Sequence, residues 1–250
     1  MLVLAESHVQ SNRLGHKYMS RIAENLIQVR QKLALNAQSA QRAASEITLL
    51  AVSKTRPSKD LRDAYLCGQR DFGENYLQEG LDKIADLNDL DICWHFIGPI
   101  QSNKTKPIAE HFTWVHTVDR FKVAQRLSNQ RPDSLPPLNV CIQVNISEEE
   151  SKSGCLPDAL ASLAAEINQL PNLCLRGLMA IPKATHDAHE QHVAFAKMKA
   201  LQLELQATYP QLDTLSMGMS GDMDAAIAEG ATIVRIGTAI FGQRPTQPKQ

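Results

Sequence analysis

The 250-residue chain carries 26 basic and 27 acidic residues, a formal net charge of −1, and so lacks the basic stripe of a dedicated nucleic-acid binder. No stretch approaches the roughly 20 apolar residues of a membrane span, and the opening LVLA falls short of the ~7–15-residue apolar region of a signal peptide. The composition is cytosolic; the expected location is the cytoplasm, with neither membrane nor nucleic acid as partner.

Residues 1–15 are read as a flexible extension. From about His16 to Ala44 the chain is alanine-rich and free of proline, with Ile22, Leu26, Val29 and Leu33 on one helical face. This predicts one long leading helix packed on the exterior of the domain. Apolar strand-like runs follow at Thr48–Ser53, Asp71–Gly73, Cys93–Gly98, Thr113–Thr117, Leu138–Ile146, Leu173–Ile181, Asp213–Met217 and Thr232–Gly237. Helix-like segments fill every gap: Lys59–Cys67, Tyr76–Leu87, Lys104–His111, Phe121–Gln130, Pro157–Leu170, His186–Thr208 and Gly221–Glu229. Such alternation builds a parallel sheet, and strands without polar alternation have both faces covered. The spacing and the leading helix favour a single closed (β/α)8 TIM-type barrel over an open doubly wound sheet. Arg131–Pro137, with three prolines, is a loop and not a boundary, so residues 16–243 form one domain and the polar tail 244–250 is expected to be disordered. No long apolar helix face is left unexplained, which points to a monomer.

The five cysteines (Cys67, Cys93, Cys141, Cys155, Cys174) are scattered and free of C-x-x-C spacing, so all five are read as structural. His186, His189 and His192 drift around a helix axis instead of sharing an i, i+4 face, and no metal site is assigned to them.

Lys54 follows the first apolar run at the carboxyl end of a strand, where parallel α/β folds keep their chemistry. It can be a surface charge, a phosphate clamp or an amine nucleophile; the rest of the chain favours the nucleophile. The stretch LSMGMSGDMDAAI after the seventh run brings Ser216, Gly218 and Ser220, with Ser220 placed as N-cap of the following helix. VRIGTAIFG offers a second small turn at Gly237 and Thr238. Both loops suit phosphate, although Asp222 and Asp224 would repel it unless turned away. Arg235 interrupts the last strand and needs a partner, either a buried carboxylate or a ring nitrogen of a cofactor. Barrel closure would bring it near Lys54. Asn75, Asn145 and Lys152 stand at other strand ends, and His95 reads equally as a satisfied core histidine or a ligand contact.

Taken together, AVSKTRP around Lys54, FGENY around Asn75, WHFIGPIQSNK around His95, HTVDR, NISEEESKSG, LRGLMAIP, LSMGMSGDMDAAI and VRIGTAIFG resemble the YggS-like pyridoxal phosphate homeostasis family over roughly Ile47 to Gly242. The resemblance implies a barrel like the amino-terminal domain of alanine racemase, of the fold-type-III kind, holding pyridoxal 5′-phosphate (PLP). It implies Lys54 as the residue forming the covalent aldimine, Ser216, Met217, Gly218, Ser220, Gly237 and Thr238 around the phosphate, Arg235 facing the ring nitrogen and Asn75 beside the ring. His95 completes the candidate set. The family is described as buffering PLP without established turnover, with apo PLP-dependent enzymes as candidate recipients.

Physical chemistry bears on the choice of function. A free lysine amine has a pKa near 10.4, so burial and a neighbouring cation are needed to favour its nucleophilic form. Arginine cannot take a proton from a ring nitrogen, which weakens the cofactor as an electron sink. The alternative is an alanine-racemase-like enzyme, which needs a second acid/base group on the opposite ring face. The four tyrosines (Tyr18, Tyr65, Tyr76, Tyr209) fall in predicted helices or at their ends, and only Tyr76 is near the candidate site. A carrier is therefore the expected function.

Overall fold

The computed structural model describes residues 20–149 and 152–243. The expected extension 1–15, the start of the leading helix at 16–19 and the tail 244–250 lie outside the described residues. Eight parallel strands close in sequence order into a barrel: β1 Thr48–Val52, β2 Asp71–Glu74, β3 Cys93–Phe96, β4 Trp114–Val118, β5 Leu138–Gln143, β6 Leu173–Met179, β7 Thr214–Ser216 and β8 Ile233–Ile236. The last strand returns beside the first, with Leu50 opposite Arg235 and Ala51 opposite Ile236. The helices are α1 Arg21–Ser39, α2 Ser58–Leu66, α3 Leu77–Asp86, α4 Thr105–His111, α5 Phe121–Gln130, α6 Pro157–Asn168, α7 Ala188–Gln206, α8 Met223–Ala228 and α9 Thr238–Phe241. Closed-barrel topology thus holds as expected.

Most strands stop short of their apolar runs. β5 ends at Gln143, after which Val144 makes only an isolated bridge to Cys155. Hydrophobicity continues past the ladder because the strand ends still line a buried mouth.

The leading helix is shorter than its composition suggests. Ser20 caps it by accepting from the Ala23 N–H at 3.2 Å, and Leu26, Val29, Leu33 and Ala37 are buried on the expected face. It ends at Ser39, not Ala44: Gln41 takes a positive φ of 56°, and Arg42 turns away to donate to the carbonyls of Ile227 and Ala231 at the end of α8. Asn25 donates to the Ile240 carbonyl of α9 at 2.8 Å. The helix therefore fastens the segments after β7 and β8.

Two environments result. The helices cover the outside of the sheet with a continuous apolar layer that includes Leu26, Phe72, Phe96, Phe112, Leu127 and Ile142; each such side chain contributes roughly 1.5–3 kcal/mol on burial. Inside the barrel, Leu50, Ile97 and Ile233, with Val52 against them, form a small separate apolar cluster. Much of the remaining interior is polar.

Candidate functional site

Lys54 is half-buried in the turn directly after β1. Its two chain neighbours are held by a group of charges that sequence reading missed. Lys83, reaching from α3, donates to the Ser53 carbonyl at 2.7 Å, to Glu74 at 2.8 Å and to Glu79 at 2.6 Å. The Ser53 hydroxyl donates to the same Glu74 oxygen at 2.6 Å, and Glu79 accepts from the Thr55 N–H. Glu74 is completely buried, and desolvation pushes its pKa up despite the opposing pull of Lys83. Thr55 adopts a positive φ of 63°, unusual for a β-branched residue. These bonds fix the backbone on both sides of Lys54. The i, i+4 spacing of Glu79 and Lys83 was the visible signal, but it reads as an ordinary surface pair until α3 packs.

Neighbouring strand ends complete the rim. Val52 pairs with Gly73, so Asn75, two residues on, stands alongside Lys54. Its Oδ1 is buried without a hydrogen-bond partner among the described residues. On the other side, the Ala51–Ile236 pairing brings Gly237 and Thr238 next to Ser53. Thr238 starts α9, so its N–H and that of Ala239 have no intrahelical partner. After β7, Gly218 has φ 93°, and a Cβ there would stand 2.5 Å from that of Ala226, so the loop needs glycine. Met217 is buried in the outer apolar layer and Ser220 is exposed.

Ser220 is not the cap expected of it. The helix starts two residues later, at Met223, with Asp222 at the N-cap position; the Asp222 carboxylate accepts from the Met219 N–H within its own loop. The Asp222 carboxylate is thus held within the β7 loop itself. Asp224 is exposed.

Arg235 is buried and its partner is not a carboxylate. It donates to the Ser216 carbonyl at 2.6 Å, the Ser216 hydroxyl at 2.9 Å and the Ala180 carbonyl at 2.9 Å. Burial pulls its pKa down to about 10. Three of its five N–H donors are used, leaving two for a ligand among the described residues. Its strand partner is Leu50, four residues before Lys54, so it points into the interior below the rim.

Ser216 and His95, both expected at the ligand, belong to a column beneath it. The Ser216 hydroxyl lies 2.8 Å from His116 Nδ1, His116 Nε2 lies 2.9 Å from His95 Nδ1, and His95 Nε2 lies 3.1 Å from Asp71. Both nitrogens of His95 have partners within this column, as those of a satisfied core histidine would. Arginine can only donate and an ionised carboxylate only accept. One sense that respects these limits runs Arg235 to Ser216 to His116 to His95 to Asp71, with both imidazoles neutral and protonated on Nε2. Burial lowers both histidine pKa values, that of His116 well below 6.5. His116 was missed, since nothing in HTVDR separates it from a core residue.

Other candidates stay apart. Asn145 folds its own loop through the Glu149 carbonyl at 2.8 Å, and Lys152 pairs with Glu149 at 2.7 Å. His192 bonds Glu229, while His186 and His189 line a cavity of about 680 Å³ with Lys183, Glu190 and Met219. That cavity flanks the β7 loop and does not include Lys54. All five cysteines are free, but Cys93 lies against His95 at 3.3 Å, a clustering that sequence spacing does not reveal.

The alanine racemase amino-terminal domain model matches residues 29–245. The chain is 62% identical over 226 residues to the pyridoxal phosphate homeostasis protein of Pseudomonas aeruginosa, covering 90% of this chain and 97% of that protein. Against the pyridoxal phosphate homeostasis protein of Escherichia coli K12 it is 53% identical over 234 residues, covering 92% and 100%. The structure of PipY from Synechococcus elongatus with PLP bound superposes with a TM-score of 0.78 at 38% identity, covering 89% of this chain and all of that one. Alanine racemase of Clostridium difficile shares the fold, with a TM-score of 0.67 at 13% identity, and is 57% covered.

Proposed function

The chain belongs to the alanine racemase amino-terminal domain family, among its pyridoxal phosphate homeostasis proteins, and from that premise we propose that it binds PLP in the rim pocket around Lys54 and serves as a carrier of the cofactor. The observation that carries this is the bracing of a half-buried lysine between two strand ends by the buried Lys83–Glu74–Glu79 group. A lysine meant only for solvent needs no such support.

The residues fit the cofactor. Lys54 would hold it covalently through its amine. Thr238, Gly237, Gly218 and Ser220 would take the phosphate, with the free N–H groups at the start of α9 as donors. Asn75, whose buried Oδ1 lacks a partner, would lie beside the ring. Arg235, with two donors to spare, would meet the ring nitrogen. When bound, PLP supplies an aldehyde that condenses reversibly with amines and a ring that can accept electrons. Arg235 cannot receive a proton, so it holds the nitrogen as an acceptor and limits electron withdrawal, which supports storage over turnover. Release to apo PLP-dependent enzymes and action in the cytoplasm follow from this reading.

The test is an absorption spectrum of the protein with added PLP, followed by borohydride reduction and peptide mapping. A reduced adduct on the Lys54 peptide is expected. Uptake of no PLP removes the reading, and α-proton exchange of amino acids in heavy water would convert it to a racemase-type enzyme.

A further inference from the structure

At the amino-terminal mouth, the far end of the barrel from Lys54, three unlike ligand atoms converge. Asp71 and Cys93 are register partners on β2 and β3, and His95 lies two residues beyond Cys93, on the same side of its strand. His95 Nε2 is 3.1 Å from Asp71 Oδ1 and 3.3 Å from Cys93 Sγ. All three atoms fall within 4.8 Å of one another, and no other trio of such side chains does so among the described residues. A tetrahedral divalent centre with bonds of about 2.0–2.3 Å separates ligand atoms of these kinds by roughly 3.3–3.6 Å. The two separations from His95 Nε2, 3.1 and 3.3 Å, stand at or just under that range, and the third lies within 4.8 Å. We propose that Asp71, Cys93 and His95 bind a thiophilic divalent cation of the zinc class, with water completing the fourth position.

The surroundings support a ligating role. Metal-bound imidazoles nearly always have their second nitrogen hydrogen-bonded, and His95 Nδ1 meets His116 Nε2 at 2.9 Å. The His95 ring also stacks on Trp114 at 5.6 Å with 8° between planes, which fixes its orientation. Asp71 is 31% exposed and Cys93 half-buried, so an ion and a water can approach from solvent. A thiolate, an imidazole and a carboxylate together suit zinc better than magnesium or calcium, which favour oxygen alone.

The proton balance closes. Cys93 binds as a thiolate and gives its proton to solvent. The His95 proton moves to Nδ1 and is donated to His116, whose own proton moves to Nδ1 and is donated to Ser216; the Ser216 hydroxyl then accepts from both His116 and Arg235 and turns its own hydrogen off His116. The imidazole pair gains and loses nothing. Thiolate and carboxylate together neutralise the two positive charges.

Cobalt(II) is the probe: the full chain, freed of metal by chelator and desalted with no PLP added, is titrated with it. One equivalent should produce a sulfur-to-cobalt charge-transfer band and the strong visible bands of a four-coordinate ion, both displaced by zinc. Cys93→Ser should abolish the sulfur band. Asp71→Asn, at a partly exposed position, serves as the second variant and should weaken binding at least tenfold. His116→Gln, behind the ligand, should weaken it by about 10–100-fold, while Cys174→Ser should leave the spectrum unchanged. Absence of the sulfur band at one equivalent, or its persistence in Cys93→Ser with a native circular dichroism spectrum, overturns the proposal. So does a cobalt spectrum without sulfur character, which would place the ion elsewhere, such as on His186, His189 and His192. None of these readouts depends on PLP, so they stand apart from the test of the carrier.

Discussion

At the carboxyl mouth the charged side chains grip the main chain: Lys83 holds the Ser53 carbonyl and Glu79 the Thr55 amide. At the amino mouth they grip one another. Arg176 makes a two-pronged bridge to Asp213 at 2.6 and 3.2 Å, reaches Asn139 at 3.3 Å and lies over the Trp114 ring at 5.2 Å. The first arrangement immobilises the backbone turn that carries Lys54. The second plugs an opening, the role expected for the amino-terminal face of such barrels. Arg235 and its column join the two.

The contrast is broken most directly by Lys54→Ala, which should abolish borohydride-trapped PLP while Arg176→Ala, at the other mouth, keeps it; intact-mass spectrometry reads both. If the Arg176 variant also loses the adduct with its fold preserved, the two mouths are not independent. Next is Lys83→Met. Removing one member of a buried ion pair costs about 3–5 kcal/mol, to be read from urea unfolding, and adduct formation should slow as the Lys54 turn loosens. The pH dependence has a defined sign. The folded-state pKa of Glu74 lies above its ordinary 4.5, so the folded chain holds this proton more tightly. Its contribution to stability is full in acid and is lost as pH rises through the raised value. Glu74→Gln should therefore gain stability relative to the parent chain as pH rises across that window; a constant difference would mean Glu74 ionises alike in both states.

The carboxyl mouth was more legible in the sequence than the rest of the site. Lys54, Asn75, Gly218 and Thr238 each follow a strand end, and strand ends can be read from apolar runs. Eight runs with helices between them gave the parallel alternation, while closure was only favoured, from the spacing and the leading helix, over an open sheet. What escaped was whatever depends on which side of a strand faces inward, or on a helix reaching under a loop. Because the barrel is buried inside and out, its strands show no polar alternation, and HTVDR gives no sign that His116 joins His95. Glu74 looked like part of FGENY, and its link to Lys83 exists only once α3 packs. Ser220 was given the cap because serine favours that position, but Asp222 holds it two residues later. Asp71, Cys93 and His95 are ordinary residues until β2 and β3 pair.

Within the loop after β7, two glycines three residues apart should behave differently. Gly218→Ala meets both a positive φ and the Ala226 methyl, and should cost about 2–4 kcal/mol from left-handed backbone strain and overpacking together. Gly221 has nothing within 4 Å of an added Cβ and no positive φ, so Gly221→Ala should change stability by less than about 0.5 kcal/mol. Equal losses at the two positions would show that the loop relaxes freely.

The last effect is one of proton position and carries almost no energy. In metal-free protein, nitrogen-15 spectra should find His95 and His116 both neutral and protonated on Nε2, because Arg235 can only donate and Asp71 can only accept. Their folded-state pKa values lie below the ordinary 6.5, so the unfolded chain takes up more protons there and stability falls as pH drops through that value. Asp71→Asn removes the carboxylate terminus and frees the column to reverse, so a share of Nδ1–H tautomer should appear at His95 while the carboxyl mouth still accepts PLP. An Nδ1–H tautomer already dominant in the parent chain would mean that the column is ordered from the other end, with Ser216 accepting from both His116 and Arg235.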